Sequence, residues 1–187
     1  MWRDDRGRPM ELGLAGGGNS PPAPQTFVVA DMVDAFVKFC VNTRGEQADV
    51  SEVANEKGLR VSISDIAVAK TATPSNMLIA NGPGLVVSQT DQVLEYDYTQ
   101  CNVNFFVDAL PESETVEAAL SAALGSAPDN ETKRFKKNGK ANKGYKPEWR
   151  IAGDDGTLFV LQFNVMKSNP YLIGDRVLFG LREVVEN

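Results

Sequence analysis

The spacing of apolar residues along the chain predicts three helices. A first helix over about 28–42 is indicated by four apolar residues at helical spacing: Val29, Val33, Phe36 and Cys40. Gly45 should end it. A second, shorter helix is predicted in EQADVSEVANEKG, where Gly58 supplies the stop. A third is predicted in PESETVEAALSAALG, because acidic residues early in this segment favour a helix N-terminus and Gly125 favours its end.

Most of the remaining apolar pattern has a period of two, which is typical of strands. In CNVNFFVDA, Cys101, Val103 and Phe105 alternate with Asn102 and Asn104, so one face of this strand should be buried and the other polar. Further extended segments are predicted at NMLIA and GLVVSQ on either side of the turn NGPG, and at VLEYDYTQ. Three more are predicted near the C-terminus, at EWRIAG, TLFVLQFNVMK and RVLFGLREVV, whereas LRVSISDIAV is only a candidate strand.

The order of these elements predicts an α+β fold. We expect an antiparallel sheet of about five to seven strands, with two N-terminal helices and one mid-chain helix largely on one face. Alternating parallel β-α units fit less well because the strands come in clusters. Residues 1–25 are rich in Gly, Pro and small residues and have no periodic apolar face. We therefore expect a flexible tail over 1–25 and a single domain over 26–187.

The composition narrows the chemistry that such a fold can support. The chain has 187 residues, two cysteines and no histidine, which removes the commonest general base and every four-cysteine zinc site. No run reaches about eighteen apolar residues, so no membrane-spanning segment is expected. We predict no catalytic residue, no metal site and no cofactor. The enzymatic alternative is a carboxylate- or metal-dependent site built from Asp91, Glu95 and Asp97.

Positive charge is concentrated in one segment, KRFKKNGKANKGYKPEWR, which spans 133–150. This segment holds eight Lys or Arg and one Glu, while the rest of the chain, with 11 basic and 24 acidic residues, has a charge of −13. Its Gly, Asn and Pro residues predict a basic loop over 133–147, either mobile or forming the extended start of a strand. The candidate anion-binding residues are Lys133, Arg134, Lys136, Lys137, Lys140, Lys143, Lys146 and Arg150.

Three interpretations of this basic segment are open from the sequence. It is a solvated loop that protects a strand edge or folds back onto the acidic surface, or a contact for anionic lipid or polymer, or a nucleic-acid surface. For nucleic acid, Phe135, Tyr145 and Trp149 would stack on bases. The acidic remainder of the chain disfavours that interpretation, because it repels phosphate outside a narrow patch. Phe135 and Trp149 are equally consistent with core residues at the two ends of the loop.

The two cysteines fall on faces that the helical and strand patterns predict to be buried. If the first helix covers the strand that begins at Cys101, the Cys40 and Cys101 thiols can meet. A disulfide would then close a loop of about 60 residues, worth about 4 kcal/mol in the chain-entropy model. Two reduced core cysteines are the alternative, because free cysteine is among the most buried residue types.

Two segments of the chain resemble short exported proteobacterial proteins of unassigned function. FVKFCVNTRGEQADVSEVANEKG is similar to their aromatic-rich first helix, which ends in a cysteine and leads through a turn to a second helix. QCNVNFFVDALPESETVEAAL resembles their later Cys-x-Val strand, which leads into a helix. The resemblance covers about 45 of the 187 residues and implies a Cys40–Cys101 disulfide in the oxidising periplasm. The chain departs from those proteins in lacking a recognisable signal peptide, so a cytoplasmic location is the alternative.

Together these features predict a non-enzymatic protein of the periplasm or cell envelope. It would act through surface contacts with a protein, an anionic polymer or a lipid surface, and the sequence does not choose among these partners. One alternative is a nucleic-acid-binding module that uses residues 133–150. The other is the carboxylate- or metal-dependent enzyme described above.

Overall fold

A computed structural model describes residues 22–66, 75–93, 96–129, 134–137, 140–143, 147–153, 155–168 and 174–184. The helices are α1 (Val29–Phe36), α2 (Gln47–Glu56) and α3 (Ser113–Leu124), and a π-helical turn over Val37–Val41 continues α1. The strands are β1 (Arg60–Ile66), β2 (Ser75–Gly82), β3 (Leu85–Val93), β4 (Tyr96–Phe106), β5 (Arg134–Lys137), β6 (Lys140–Lys143), β7 (Glu148–Ala152), β8 (Leu158–Met166) and β9 (Arg176–Glu183).

Seven of the strands form one antiparallel sheet in the order β1-β2-β3-β4-β9-β8-β7. The predicted α+β class is confirmed, with three helices and a sheet at the upper end of the expected size. The two segments VLEYDYTQ and CNVNFFVDA contribute one long strand, β4, rather than two. Strand β9, the last strand in the chain, pairs with β4, so the middle of the sheet joins strands that are far apart in sequence.

The helices pack on one face of the sheet because their apolar stripes match its buried rows. In α1, Met32, Val33 and Phe36 are buried, and the Phe36 ring stacks on Phe179 of β9 with ring centroids 5.2 Å apart. Val116 and Leu120 of α3 are also fully buried in the same apolar cluster. No helix in the described part of the chain is long and apolar enough to cross a membrane.

The turn after the first helix requires a glycine at position 45. Gly45 has a φ of +72°, and its N–H donates to the carbonyl oxygen of Cys40 over 3.0 Å. A Cβ atom at this position would lie 2.7 Å from Cγ2 of Thr99 on β4. Both the backbone conformation and the close approach to β4 therefore exclude a larger residue without strain.

The chain joins the sheet at Gln25, the last residue of the predicted tail. The Gln25 N–H donates to the carbonyl oxygen of Phe106 over 3.0 Å, and Asp108 N–H donates to the carbonyl oxygen of Gln25 over 3.3 Å. Gln25 thereby forms an isolated parallel bridge with Val107. Residues 1–21 of the predicted tail lie outside the described residues.

The basic segment contributes a short ribbon that stands apart from the main sheet. Strands β5 and β6 pair with each other in antiparallel register, with Arg134 opposite Lys143 and Lys137 opposite Lys140. We call this pair of strands the basic ribbon. The sequence analysis expected a loop or the extended start of a strand here, whereas these residues pair with each other. The Asn-Gly pair at 138–139 in the sequence favours a hairpin, whereas the Gly, Asn and Pro content of the segment as a whole favours a loop.

Candidate functional site

The face of the sheet opposite the helices is rich in amide side chains. Because side chains alternate along a strand, the even-numbered residues of β8, of β9 and of β4 from Gln100 onward lie together on this face. We call this side of the sheet the open face; the residues of β1, β2, β3 and β7 that pair in register with these rows belong to it. None of the described helices packs there. Its half-buried amides are Gln100, Asn102 and Asn104 of β4 and Gln162 and Asn164 of β8.

The open face also carries arginines from three strands. They are Arg60 of β1, Arg150 of β7, and Arg176 and Arg182 of β9, and all but Arg176 are exposed. Arg182 and Arg150 both lie opposite Val160 of β8, one on each side. Two strand spacings therefore separate the Cα atoms of Arg150 and Arg182 by about 10 Å.

One carboxylate on this face is shielded from solvent. Among the open-face residues whose side chains the structure describes, Glu148 is the only acid, and it is 6% exposed. Gln162 donates a hydrogen bond from Nε2 to Oε1 of Glu148. The Arg150 and Arg182 side chains form no hydrogen bond or ion pair within the described part of the chain. Their charges are therefore available to an anion.

Arg176 lies at one end of the open face and, unlike the other three arginines, is half-buried, which disfavours its charged form. It lies opposite Phe106 of β4 and Met166 of β8, and burial lowers the pKa of its guanidinium below the usual value. Its Nε is buried without a hydrogen-bond partner among the residues that the structure describes. A buried donor in this state is costly, and an oxygen from a bound anion would satisfy it.

A groove of about 150 Å³ crosses the open face above Gly180. In the strand register, Gly180 lies between Asn102 and Gln162. The glycine leaves this space open, since a Cβ atom there would approach Oδ1 of Asn102 to 2.9 Å. Around Gly180 the groove is lined by five polar and three aliphatic residues: Gln100, Asn102, Gln162, Asn164, Arg182, Val160, Leu178 and Leu181.

A larger cavity of about 270 Å³ lies between the end of the π-helical turn and strands β7 and β8. Asn42 and Arg44 supply its polar side chains, and most of the remaining lining is aliphatic or aromatic, including Ile151 and Phe159. Binding sites combine an apolar wall with several convergent polar groups. The smaller groove on the open face has five such groups against two here, so it is the better candidate.

A disulfide lies behind the open face and joins the helices to the sheet. Cys40 of the π-helical turn and Cys101 of β4 are bonded, with their Cα atoms 5.6 Å apart and both residues 0% exposed. The predicted pairing is confirmed. Cys101 lies between Gln100 and Asn102 in β4, so the disulfide anchors the stretch of strand that presents these amides on the opposite side.

The predicted anion-binding residues divide between the open face and the basic ribbon. Arg150 lies on the open face, and five others are in the ribbon strands: Arg134, Lys136, Lys137, Lys140 and Lys143. Lys133 and Lys146 lie outside the described residues. Four peptide steps join Lys143 to Pro147. The end of the ribbon is therefore within about 14 Å of the residue that precedes β7, the edge strand that carries Arg150.

The sequence analysis did not identify Arg60, Arg176, Arg182 or the amide groove. Alternation in CNVNFFVDA did indicate a polar face on β4, and this was the available signal. The pairing of β4 with β9 and of β9 with β8 could not be obtained from local pattern, because these strands are distant in sequence.

Two other predictions concern the Trp149 ring and a cluster of three carboxylates. Trp149 faces the core, is 1% exposed and donates from Nε1 to the carbonyl oxygen of Ser126 over 3.1 Å, so it cannot stack on a base. Of the three candidate metal-binding acids, Asp91 is exposed, Glu95 lies outside the described residues, and the Asp97 side chain is not among those described. Among described residues, no group of three or more His, Cys, Asp or Glu could hold a metal ion.

Comparisons of the chain with protein-family models, with curated proteins and with solved structures gave no match. The chemistry of the open face and of the basic ribbon is therefore the basis for a functional assignment.

Proposed function

We propose that this protein is a non-enzymatic binding protein of the cell envelope that holds an anionic polymer on the open face of its sheet. The observation that carries the proposal is the charge of that face. Among the side chains that the structure describes there, four arginines share it with one shielded acid, in a protein whose net charge is −6. Positive charge collected on one face of an acidic protein favours anion binding on that face.

The groups on the open face favour binding over catalysis. Arginine is always protonated and pairs with carboxylate, sulfate or phosphate through two parallel hydrogen bonds. Amides do not titrate near neutral pH, so the amide side chains of the groove supply no general acid or base. The basic ribbon adds five Lys or Arg residues, and its second strand ends at most about 14 Å from the residue before β7, the strand that carries Arg150.

The spacing of the arginines favours a polymer with widely spaced charges. Arg150 and Arg182 are separated by about 10 Å between Cα atoms. Phosphates of one nucleic-acid strand recur about every 3.4 Å along a duplex axis, so the two Cα atoms span about three such steps and the side chains would have to converge to bind successive phosphates. The burial of Trp149 removes one of the three rings that base stacking would use.

The disulfide supports a location outside the cytoplasm. Structural disulfides form and persist in oxidising compartments and are rare in the reducing cytosol. Cys40 and Cys101 are both fully buried, which protects the bond from reductants. The two segments that contain Cys40 and Cys101 resemble exported proteobacterial proteins, which agrees with a location outside the cytoplasm.

Salt-dependent elution from immobilised heparin tests the binding proposal. The Arg150→Gln/Arg182→Gln variant removes two charges from the open face, and Lys38→Gln/Lys57→Gln removes two from the helical layer. We expect the first variant to elute at clearly lower salt than the unmodified protein, and the second to elute with it. A third variant, with Lys136, Lys137, Lys140 and Lys143 changed to Ala, measures the contribution of the ribbon.

Equal elution of all four proteins would overturn the proposal, because charge position would then be irrelevant. Single-stranded DNA as a competitor separates the nucleic-acid alternative. The competitors are single-stranded DNA and an anionic polysaccharide, compared at equal concentrations of anionic groups. If DNA displaces the protein from heparin at the lower concentration, the nucleic-acid alternative replaces the proposal. The location is tested by titrating thiols in denatured protein from its native host, where two reactive thiols would contradict an oxidising compartment.

A further inference from the structure

We infer that the groove above Gly180 binds the hydroxyl groups of a sugar ring, so that the anionic polymer held by the open face is an acidic polysaccharide. This inference rests on the proposed function and names the class of its ligand. It follows from three features of the groove, namely its balance of donors and acceptors, its glycine floor and its position relative to the arginines.

The groove offers acceptors as well as donors. Each amide side chain has one carbonyl oxygen and two N–H groups, and the groove has four such side chains: Gln100, Asn102, Gln162 and Asn164. A hydroxyl group both donates and accepts, so it can use both ends of an amide. The oxygens of a fully ionised phosphate or sulfate only accept, and they would be left facing amide oxygens. Hydroxyls therefore suit this lining better than a second anionic group does.

Two of the amides are oriented by neighbours within the sheet. Gln162 donates from Nε2 to Glu148, which directs its carbonyl oxygen away from that carboxylate. Gln100 donates from Nε2 to Oδ1 of Asn102 over 3.4 Å, a long bond that a ligand hydroxyl can replace. Groups oriented before binding lose less conformational freedom when the ligand arrives.

The groove offers both apolar and polar contacts, which match the apolar C–H groups and the polar hydroxyls of a sugar ring. Gly180 lets a ligand approach the backbone of β9, and Val160 and Leu178 line the groove beside the amides. A sugar ring presents C–H groups from its faces and hydroxyls from its edge. The aliphatic side chains can contact the former while the amides bind the latter.

Arg182 connects this hydroxyl-binding groove to the charged part of the face. It belongs to the groove lining, and Arg150 lies beyond it across Val160. A ring seated above Gly180 would therefore place a neighbouring carboxylate near one of the two arginines. A polysaccharide with a uronic acid at every second ring has both the hydroxyls and the spaced charges that this arrangement requires.

The test compares hyaluronate, which has hydroxyls and spaced carboxylates, with long-chain polyphosphate, which has charge without hydroxyls, and with neutral dextran. Affinities are measured by calorimetry at low salt on the full chain. Asn102→Ala removes an amide of the groove, and Asn55→Ala removes an exposed amide of α2, in the helical layer. We expect Asn102→Ala to weaken hyaluronate binding about fivefold, the effect of roughly one hydrogen bond. Polyphosphate binding should not change, and Asn55→Ala should bind both polymers as the unmodified protein does.

Gly180→Ala is the second variant, because it fills the groove without removing an amide or a charge. It should weaken hyaluronate binding while polyphosphate binding is retained. Thermal unfolding establishes that each variant is folded. If polyphosphate binds as tightly as hyaluronate and neither groove variant separates the two, the inference is overturned while the proposed function stands. If dextran binds as tightly as hyaluronate, the anionic part of the inference fails. If no anionic polymer binds at low salt, the proposed function itself fails.

Discussion

Strand β4 has two sides that differ in almost every physical property. Its odd-numbered residues Cys101, Val103 and Phe105 are at most 1% exposed and pack against the helices. Its even-numbered Asn102 and Asn104 are half-buried on the open face. The first set is constrained by packing, whereas the second is free to be selected for binding. The fold and the proposed function of this protein therefore depend on alternate residues of the same strands.

The largest expected effect comes from removing the disulfide on the inner side of β4. The Cys40→Ala/Cys101→Ala variant should lose about 4 kcal/mol of unfolding free energy, because the bond closes a loop between residues 61 apart in sequence. Urea denaturation of the variant and of the unmodified protein measures this difference. A loss below about 1 kcal/mol would mean that the helices are held to the sheet mainly by apolar packing.

A sharper comparison uses two leucines on the same strand, β9. Leu181 is 2% exposed on the inner side, and Leu178 is half-buried on the open face. Leu181→Ala should lose about 3 kcal/mol of unfolding free energy, since it leaves a cavity among packed side chains, and Leu178→Ala about 1 kcal/mol. Equal losses in urea denaturation would show that the open face is packed as tightly as the core and would contradict its role as a free surface.

Alanine substitutions at two glycines distinguish the loss of unfolding free energy caused by backbone strain from the loss caused by contact with β4. Gly45 and Gly125 have φ values of +72° and +69°, but only Gly45 approaches the sheet, while nothing lies within 4 Å of a Cβ atom at Gly125. Gly125→Ala should lose about 1 kcal/mol from backbone strain alone. Gly45→Ala should lose about 2 kcal/mol or more, because Thr99 must also move. Thermal or urea unfolding checks the order, and a reversed order would contradict the close approach.

The smallest effect is expected at Asp175, which precedes β9. A hydrogen bond from the Ser168 backbone N–H, 2.7 Å from Oδ1, lowers the pKa of Asp175 below its usual 3.8. A carboxylate with a lowered folded-state pKa stabilises the protein above the unfolded pKa, and this contribution is lost as the pH falls through the folded pKa. Asp175→Asn should therefore be slightly less stable than the unmodified protein at pH 7.

The same difference should disappear in acid, where both side chains are neutral. Unfolding midpoints of the two proteins measured between pH 7 and pH 2 provide the check. A gap that persists unchanged at the lowest pH would mean that Asp175 acts through its shape and not through its charge.

Much of the fold was predictable because the local signals agree with the final structure. The apolar stripe ending at Cys40 marks the first helix, although the structure divides it into α1 and a π-helical turn. Alternation around Cys101 marks the inner side of β4, and Gly125 marks the end of α3. The basic ribbon was not predictable from composition, because the Gly, Asn and Pro content of this segment favours a loop, and only the Asn-Gly pair at 138–139 favours a hairpin. Of the candidate site, the polar side of β4 and Arg150 were foreseen.

The sequence by itself determined which residues of each element are buried, because helical and strand periods place apolar side chains on one side. It also made Cys40 and Cys101 candidates for a disulfide. Only the tertiary structure decided that β9 lies between β4 and β8, which brings Arg182, Gly180 and Asn102 into one groove. Strand pairing depends on contacts between segments far apart in the chain, and a local pattern carries no information about which distant strand a given strand will meet.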